Sequence, residues 1–420
     1  MPSSDSSVDG PALKPLRAWQ IQAFSAWDFA GRRGIVAAAT GTGKSRLALE
    51  ALSLLPRDGR AVVVVPRLSL VPQWQSGVRE AGWHPSDTAV MATGYPTPRL
   101  TQPIVIAVID SARDGVPHLA EFWRREGRQT LLVVDECHWA GSSRNGDIFS
   151  EPFQHRLGLS ATPDRLDDGL EEVLVPGLGE VVYRYSLRDA LDDGLLAPLL
   201  AINVYIDLDG GESREYARLS AAIAAARSGP RTSPSSLELA RRRLVSRASA
   251  RGRVVQHALD ADLFGGRRAL LFHERIADAE ASADLLTERG LVIGLEHSQL
   301  PSDRRAKTLR AFKAGSLDAL VTVRTLDEGI DVPAADLGII VSGGLQQRQR
   351  IQRIGRLLRP NGERAVVVTA LARGTSEESV VGVQDTQLLG GDRVRHHLLA
   401  TLDPSFRLDT DSSYTPIRPE

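Results

Sequence analysis

Cysteine is nearly missing: Cys137 is the only one in 420 residues. An intrachain disulfide and a cysteine zinc cluster are therefore both excluded. Charge imbalance is missing too, with a net charge of −1, so no global basic field advertises a nucleic-acid partner and any such binding must come from local patches. No apolar run approaches the ~20 residues of a membrane span. The opening Met1-Pro-Ser-Ser-Asp-Ser-Ser7 lacks the basic-then-apolar layout of a signal peptide. The expectation is a cytoplasmic protein with no membrane partner. What remains is ordinary globular material, 42% hydrophobic and 25% charged, long enough for two or three domains with real cores.

The chain is organised around Gly34-Ile-Val-Ala-Ala-Ala-Thr-Gly-Thr-Gly-Lys-Ser45. A short apolar run enters a glycine-punctuated loop that empties into an amphipathic helical pattern, the context a phosphate-binding loop requires. Thr40, Gly41, Thr42 and Gly43 form the loop, and glycines there let backbone N–H groups turn inward around anionic oxygens. The start of the following helix adds its partial positive charge. Lys44 would reach the β- and γ-phosphates, and the Ser45 hydroxyl would ligate Mg²⁺. Upstream, Arg17 and Gln20 belong to a helical pattern beginning at Leu16 and are expected on the cofactor side; the Gln20 amide could donate to and accept from an adenine edge.

Apolar, β-branched runs then recur: 61–65, ending in Pro66-Arg67 and, further on, Gln73-Trp74; 104–109, ending in Asp110-Ser111; 131–134, ending in Asp135-Glu136-Cys137-His138; and 157–159, ending in Ser160-Ala161-Thr162. Such runs are strands buried on both faces, and their alternation with helical spans makes a parallel α/β sheet. In such sheets ligands gather at the carboxyl ends of the strands, where every one of these polar clusters sits. Asp135 and Glu136, about 90 residues after Lys44, can divide the work of nucleotide hydrolysis. Asp135 would hold the Mg²⁺ shell and Glu136 would orient the attacking water. His138 has a satisfied structural histidine as its lesser alternative, and Cys137 reads as a small buried filler rather than a nucleophile.

A second α/β pattern begins at Arg267, with strands at 267–272, 318–324, 337–341 and 365–370. It delivers Leu326-Asp-Glu-Gly-Ile-Asp-Val-Pro333 and then Gln346-Gln-Arg-Gln-Arg-Ile-Gln-Arg-Ile-Gly-Arg-Leu-Leu-Arg359. Arg353, Arg356 and Arg359 recur every third residue of a helical span, a row of guanidinia able to meet charge developing on a phosphoryl group. Between the two patterns, Arg241, Arg242, Arg243, Arg247, Arg251 and Arg253 crowd a helical stretch. That stretch is either a solvated face or an arm that touches a phosphate backbone.

Ala-Thr-Gly-Thr-Gly-Lys-Ser, Asp-Glu-Cys-His, Ser-Ala-Thr and Gln-Arg-x-x-Gly-Arg-x-x-Arg together resemble the phosphate loop and motifs II, III and VI of superfamily 2 helicases, with a motif II box of the DExH type. The resemblance runs over about residues 14–375. It implies an α/β fold of two tandem RecA-like P-loop domains, each a mostly parallel sheet covered by helices, with a helical insertion between them. The expected boundaries are a disordered tail at 1–13, domain 1 at 14–205, a helical linker at 206–262, domain 2 at 263–375 and a C-terminal extension at 376–420. It further implies that Arg356 and Arg359 are arginine fingers, that Gln352 faces the nucleotide, and that Gly329 and Asp331 line the nucleotide cleft. Arg67, Ser111 and Thr322 fall where the family grips the nucleic-acid backbone, and His138, Ser160 and Thr162 are coupling residues. ATP and Mg²⁺ are the implied cofactors.

Motif VI beginning with Gln rather than His favours DNA over RNA and looks most like XPB-type and RadD-type helicases and the motor of type I restriction enzymes. Departures from the pattern are Ser45 for the commoner Thr, Ala38 for Gly, and Arg67 and Asp110 in motifs Ia and Ib. Three roles stay open: a DNA translocase or helicase for repair and genome maintenance; the motor of a defence or restriction system with a nuclease or other effector in a separate chain; and an ATP-gated binding switch that clamps nucleic acid without unwinding it.

Overall fold

The computed structural model describes residues 13–164, 167–227, 235–323, 335–343, 347–357, 364–401 and 415. It divides into two units, Met1–Leu187 and Arg188–Glu420. In the first, chain order is α1 (Ala18–Phe29), β1 (Arg33–Ala38), α2 (Ser45–Ser53), β2 (Arg60–Val65), α3 (Val71–Glu80), β3 (Thr88–Met91), β4 (Ile104–Val108), α4 (Ile109–Arg125), β5 (Thr130–Asp135), β6 (His155–Ser160), α5 (Val175–Leu178) and β7 (Val181–Tyr185). Its strands form one seven-stranded sheet in the order β3-β4-β2-β5-β6-β1-β7, and every pairing is parallel. Residues 61–65 are buried at every position, as a strand covered on both faces must be. One face carries α4, whose Ala112, Val116, Leu119 and Trp123 meet Val62, Val64, Val105 and Leu132. All six tryptophans of the chain fall in this unit. Two buried indoles lend their N–H to carbonyls, Trp27 to Arg156 at 2.8 Å and Trp83 to Leu52 at 3.1 Å, so these two rings are buried without stranding their donors.

The helix α6 (Leu187–Asp192) leads into the second unit: β8 (Leu199–Ile206), α7 (Gly210–Arg227), α8 (Ser235–Ser246), α9 (Arg251–Asp260), β9 (Ala269–His273), α10 (Ile276–Glu288), β10 (Ile293–Glu296), α11 (Ser302–Lys313), β11 (Ala319–Val323), β12 (Leu337–Ile340), α12 (Gln347–Leu357), β13 (Ala365–Ala372), α13 (Val383–Leu389) and β14 (Val394–Leu398). A second seven-stranded sheet runs β10-β11-β9-β12-β13-β8-β14, again parallel throughout.

Three expected boundaries change. The first domain was expected to reach residue 205, but β8 pairs with β13 and β14 and belongs to the second sheet. All eight of its residues are buried, which only a strand inside a sheet covered on both sides can achieve. Residues 206–262 are not a bare linker, because Val254, Val255 and Ala258 of α9 pack into the second unit's core. Nor is 376–420 merely appended: β14 is the last strand of the sheet.

Candidate nucleotide site

The loop between β1 and α2 turns on Gly41 and Gly43, at φ +85° and +93°, a region that side chains avoid. A Cβ on Gly43 would stand 3.1 Å from the Gln20 amide nitrogen. That nitrogen donates to the Gly43 carbonyl at 3.0 Å, and the Gln20 carbonyl oxygen accepts from the Arg17 N–H at 2.8 Å. Arg17 donates in turn to the Thr42 carbonyl at 3.2 Å. Here the Gln20 amide is committed to the loop and the start of α1 rather than presented to a base. Trp19, stacked on Tyr185 at 4.7 Å, fixes α1 against β7. The Thr42 hydroxyl is buried and donates to Ala39, so its part is to hold the loop's shape. Thr40 is half-buried and Ser45 opens α2.

Strands β1, β6 and β5 are neighbours, so the phosphate loop and the end of β5 meet at one carboxyl edge. Lys44, buried at the head of α2, places its ammonium 3.7 Å from the Glu136 carboxylate. Asp135 accepts from the Trp74 indole N–H at 3.0 Å and from the Glu136 backbone N–H at 3.0 Å. Burial pushes its carboxyl up to about 6, and the neighbouring Glu136 charge adds to the rise; Lys44 and the two N–H donors pull the other way. Glu136 itself sits at φ +45°, a left-handed conformation for a residue with a side chain, of the kind that marks strained functional positions. Its other carboxylate oxygen is 3.4 Å from His138 Nδ1. That nitrogen is 3.0 Å from the Ser160 hydroxyl, which also accepts the Thr162 N–H at 3.1 Å. Glu136, His138, Ser160 and Thr162 therefore form one polar chain from the end of β5 to the end of β6. Cys137 is fully buried, and burial pushes its thiol up, as suits a filler.

Trp74 is the contact the sequence did not disclose. It was visible only as part of the polar cluster after β2, and its partner lies 61 residues away.

In the second unit the helical span of motif VI is α12. Arg353 is buried, with its guanidinium 5.1 Å over the Phe272 ring and 3.4 Å from the Ser342 carbonyl. Gly329, Asp331 and Arg359, and the side chains of Gln352 and Arg356, lie outside the described residues.

Of the expected nucleic-acid contacts, Arg67 precedes α3 and Ser111 lies in the first turn of α4, both half-buried. Thr322 is fully buried in β11, with its hydroxyl 3.3 Å from Glu296, which pairs with Arg305 at 2.6 Å. A backbone contact through the Thr322 hydroxyl is therefore corrected to an internal bond: a buried strand residue needs a partner inside the fold. The basic run divides as well. Arg241 lies over Tyr216 and bonds Ser220, and Arg251 is buried against Glu377 and the carbonyls of Val245, Val341 and Ala370. Arg242, Arg243, Arg247 and Arg253 are exposed.

Residues 13–165 match the family described as "Type III restriction enzyme, res subunit", and residues 253–361 the "Helicase conserved C-terminal domain". The chain is 27% identical over 413 residues to the DNA 3'-5' translocase XPB2 of Sulfurisphaera tokodaii, covering 88% of this chain and 85% of the translocase. It is 31% identical over 358 residues to the putative DNA 3'-5' helicase Rad25 of Halobacterium salinarum, covering 82% of this chain and about half, 52%, of that protein. Among solved structures it is similar to the ATP-dependent Type ISP restriction-modification enzyme LlaBIII bound to DNA (TM-score 0.59, 15% identity, 92% of this chain and 31% of that one). It is also similar to S. cerevisiae Dbp5 bound to RNA and ADP BeF3 (TM-score 0.55, 15% identity, 91% and 90%). At these identities the structural likeness is one of fold: two RecA-like units. Two helicase family models in tandem over two parallel sheets, with relatives of the XPB and Rad25 type, place the chain: it belongs to superfamily 2 of the ATP-hydrolysing helicases.

Proposed function

We propose that the chain is a DNA translocase or helicase that hydrolyses ATP at the loop before α2, with motifs V and VI also serving the nucleotide. The observation that carries this is the cluster at one sheet edge, where buried Lys44 faces Glu136 and Asp135 lies beside it. In this reading Lys44 binds the β- and γ-phosphates and Glu136 orients water, and the motif resemblance assigns Gly329, Asp331, Gln352, Arg356 and Arg359 to the nucleotide as well. The loop glycines leave their N–H groups free to wrap phosphate oxygens. Asp135, whose carboxyl is raised by burial and by the neighbouring Glu136 charge, and the Ser45 hydroxyl make an oxygen donor pair suited to Mg²⁺. Bound there with nucleotide, Mg²⁺ supplies neutralisation of phosphate charge. The Glu136–His138–Ser160–Thr162 chain would report the state of the nucleotide from β5 to β6. Work in repair or as a defence motor, with an effector in a separate chain, is the wider role this engine fits.

The test is the ATPase rate without nucleic acid and with duplex DNA, single-stranded DNA or RNA, at one fixed salt concentration, since such binding is steeply salt-dependent. DNA should stimulate most. Lys44→Ala should abolish turnover with the fold intact by circular dichroism, and Glu136→Gln should bind ATP but turn over at least about a hundredfold more slowly. Turnover retained in Lys44→Ala would refute the assignment of the loop. ATP-dependent DNA binding without strand displacement or translocation would instead identify a clamp.

A further inference from the structure

The second unit buries an ion pair that its core does not require. Arg350 of α12 is only 2% exposed and Asp385 of α13 not at all. The guanidinium meets both carboxylate oxygens of Asp385, and the same edge reaches the Thr369 hydroxyl at 3.0 Å and the Asn203 side-chain oxygen at 3.3 Å. Asn203 and Thr369 are register partners on β8 and β13. They face away from the apolar layer formed by Ile202, Val204, Val368 and Ala370 on the same strands. Taking two charges out of water costs several kcal/mol per ion, and apolar side chains of equal volume commonly serve stability as well or better. What a planar two-bond pair gives that apolar packing does not is direction.

We infer that Asp385 and Arg350 are positioning residues for ATP hydrolysis: the pair fixes the rotation of α12 about its axis and so the aim of the arginines that follow on it. Arg353, three residues on, is held in turn by Phe272 and Ser342. Arg356 comes after the same interval on the same helix. Side chains aimed at a developing charge lose their effect steeply with misplacement of about 1 Å. The inference rests on the reading that motif VI serves the nucleotide.

A control is built into the same unit. Arg251 and Glu377 are also a buried pair, but they join α9 to the helical turn Glu377–Gly382 after β13, and among the described residues neither is hydrogen-bonded to α12. The experiment compares two apolar double variants, R350M/D385L and R251M/E377L, by thermal unfolding and DNA-stimulated ATPase. Each double removes both charges, so neither leaves one stranded. R350M/D385L should fold and lose at least about tenfold in kcat with the KM for ATP within about twofold, since an interaction made in the transition state is the one removed. R251M/E377L should keep kcat within about twofold. If R350M/D385L does not fold, Asp385→Asn, assayed where its circular dichroism matches wild type, should show the same kcat-selective fall. Wild-type kcat in a folded R350M/D385L, or equal losses in both doubles, would overturn the inference. A wild-type chain with no ATP turnover would overturn the proposed function itself, and the two failures are told apart by that baseline.

Discussion

Asp135 shows how a single side chain can work against the fold it belongs to. Its carboxyl stands at about 6 instead of 3.8 because burial and Glu136 oppose its charge. With the native value above the unfolded one, the native state binds the proton more tightly, so stability falls as pH rises from about 4 to 6 and stays reduced above that range. Asp135→Asn removes the penalty. In the absence of Mg²⁺ and nucleotide it should be more stable than wild type at pH 8, by about 1–3 kcal/mol, with the gap closing as pH falls below 6, while ATPase activity is lost. Thermal unfolding at both pH values checks this; an Asn variant that melts below wild type at pH 8 would refute it. Lys44, Asp135 and Glu136 were legible because their spacing follows from strand–loop–helix geometry. The Trp74 bond to Asp135 was not, since nothing local links an indole on α3 to a carboxylate at the end of β5. The Gln20 bond to the Gly43 carbonyl was not legible either, because it depends on the bend of the loop 23 residues further on.

At the scale of elements, the strands read from sequence were the continuous apolar ones: β2, β4, β5, β6, β9, β11, β12 and β13. β8 and β14 were not read as strands: residues 199–205 were placed in the first domain and 394–398 in the C-terminal extension. The partners of β8 begin at residues 365 and 394, so its apolar run carries no sign of which sheet it joins. Val394-Arg-His-His-Leu398 lacks an apolar run altogether and reads as a strand only through its pairing with β8. β14 also shields the edge of a strand whose residues are all buried. A chain stopped before Val394 would present β8 as a bare apolar edge, a template for association. It should elute as large aggregates in size-exclusion chromatography; recovery as a species of native size would show that β8 does not depend on its cover.

For the whole molecule, the two-sheet plan was legible because the same strand–helix alternation occurs twice. The two units respond to acid differently. Burial holds His273 and His397 down to about 4, and His396 is lowered as well. A histidine whose native value lies below its unfolded value of about 6.5 contributes stability that is lost as pH falls from 6.5 toward 4. In the first unit the half-buried His155 is lowered, but Asp135 shifts stability the opposite way over part of this range. The second unit should therefore unfold first in acid. Because every tryptophan lies in the first unit, far-ultraviolet circular dichroism should fall between pH 6 and 4 before tryptophan fluorescence changes. Coincident transitions would refute this ordering.

The place of β8 between β13 and β14 also sets an order of events on the ribosome. Every strand of the first sheet has been made by residue 185, so that unit can close while the rest is still being translated. β8 emerges next and must wait for partners about 160 and 190 residues downstream, roughly ten to forty seconds at ordinary elongation rates. Through that interval an eight-residue apolar segment stands unpaired beside a finished neighbour. It is the stretch of this chain that a chaperone would be expected to hold.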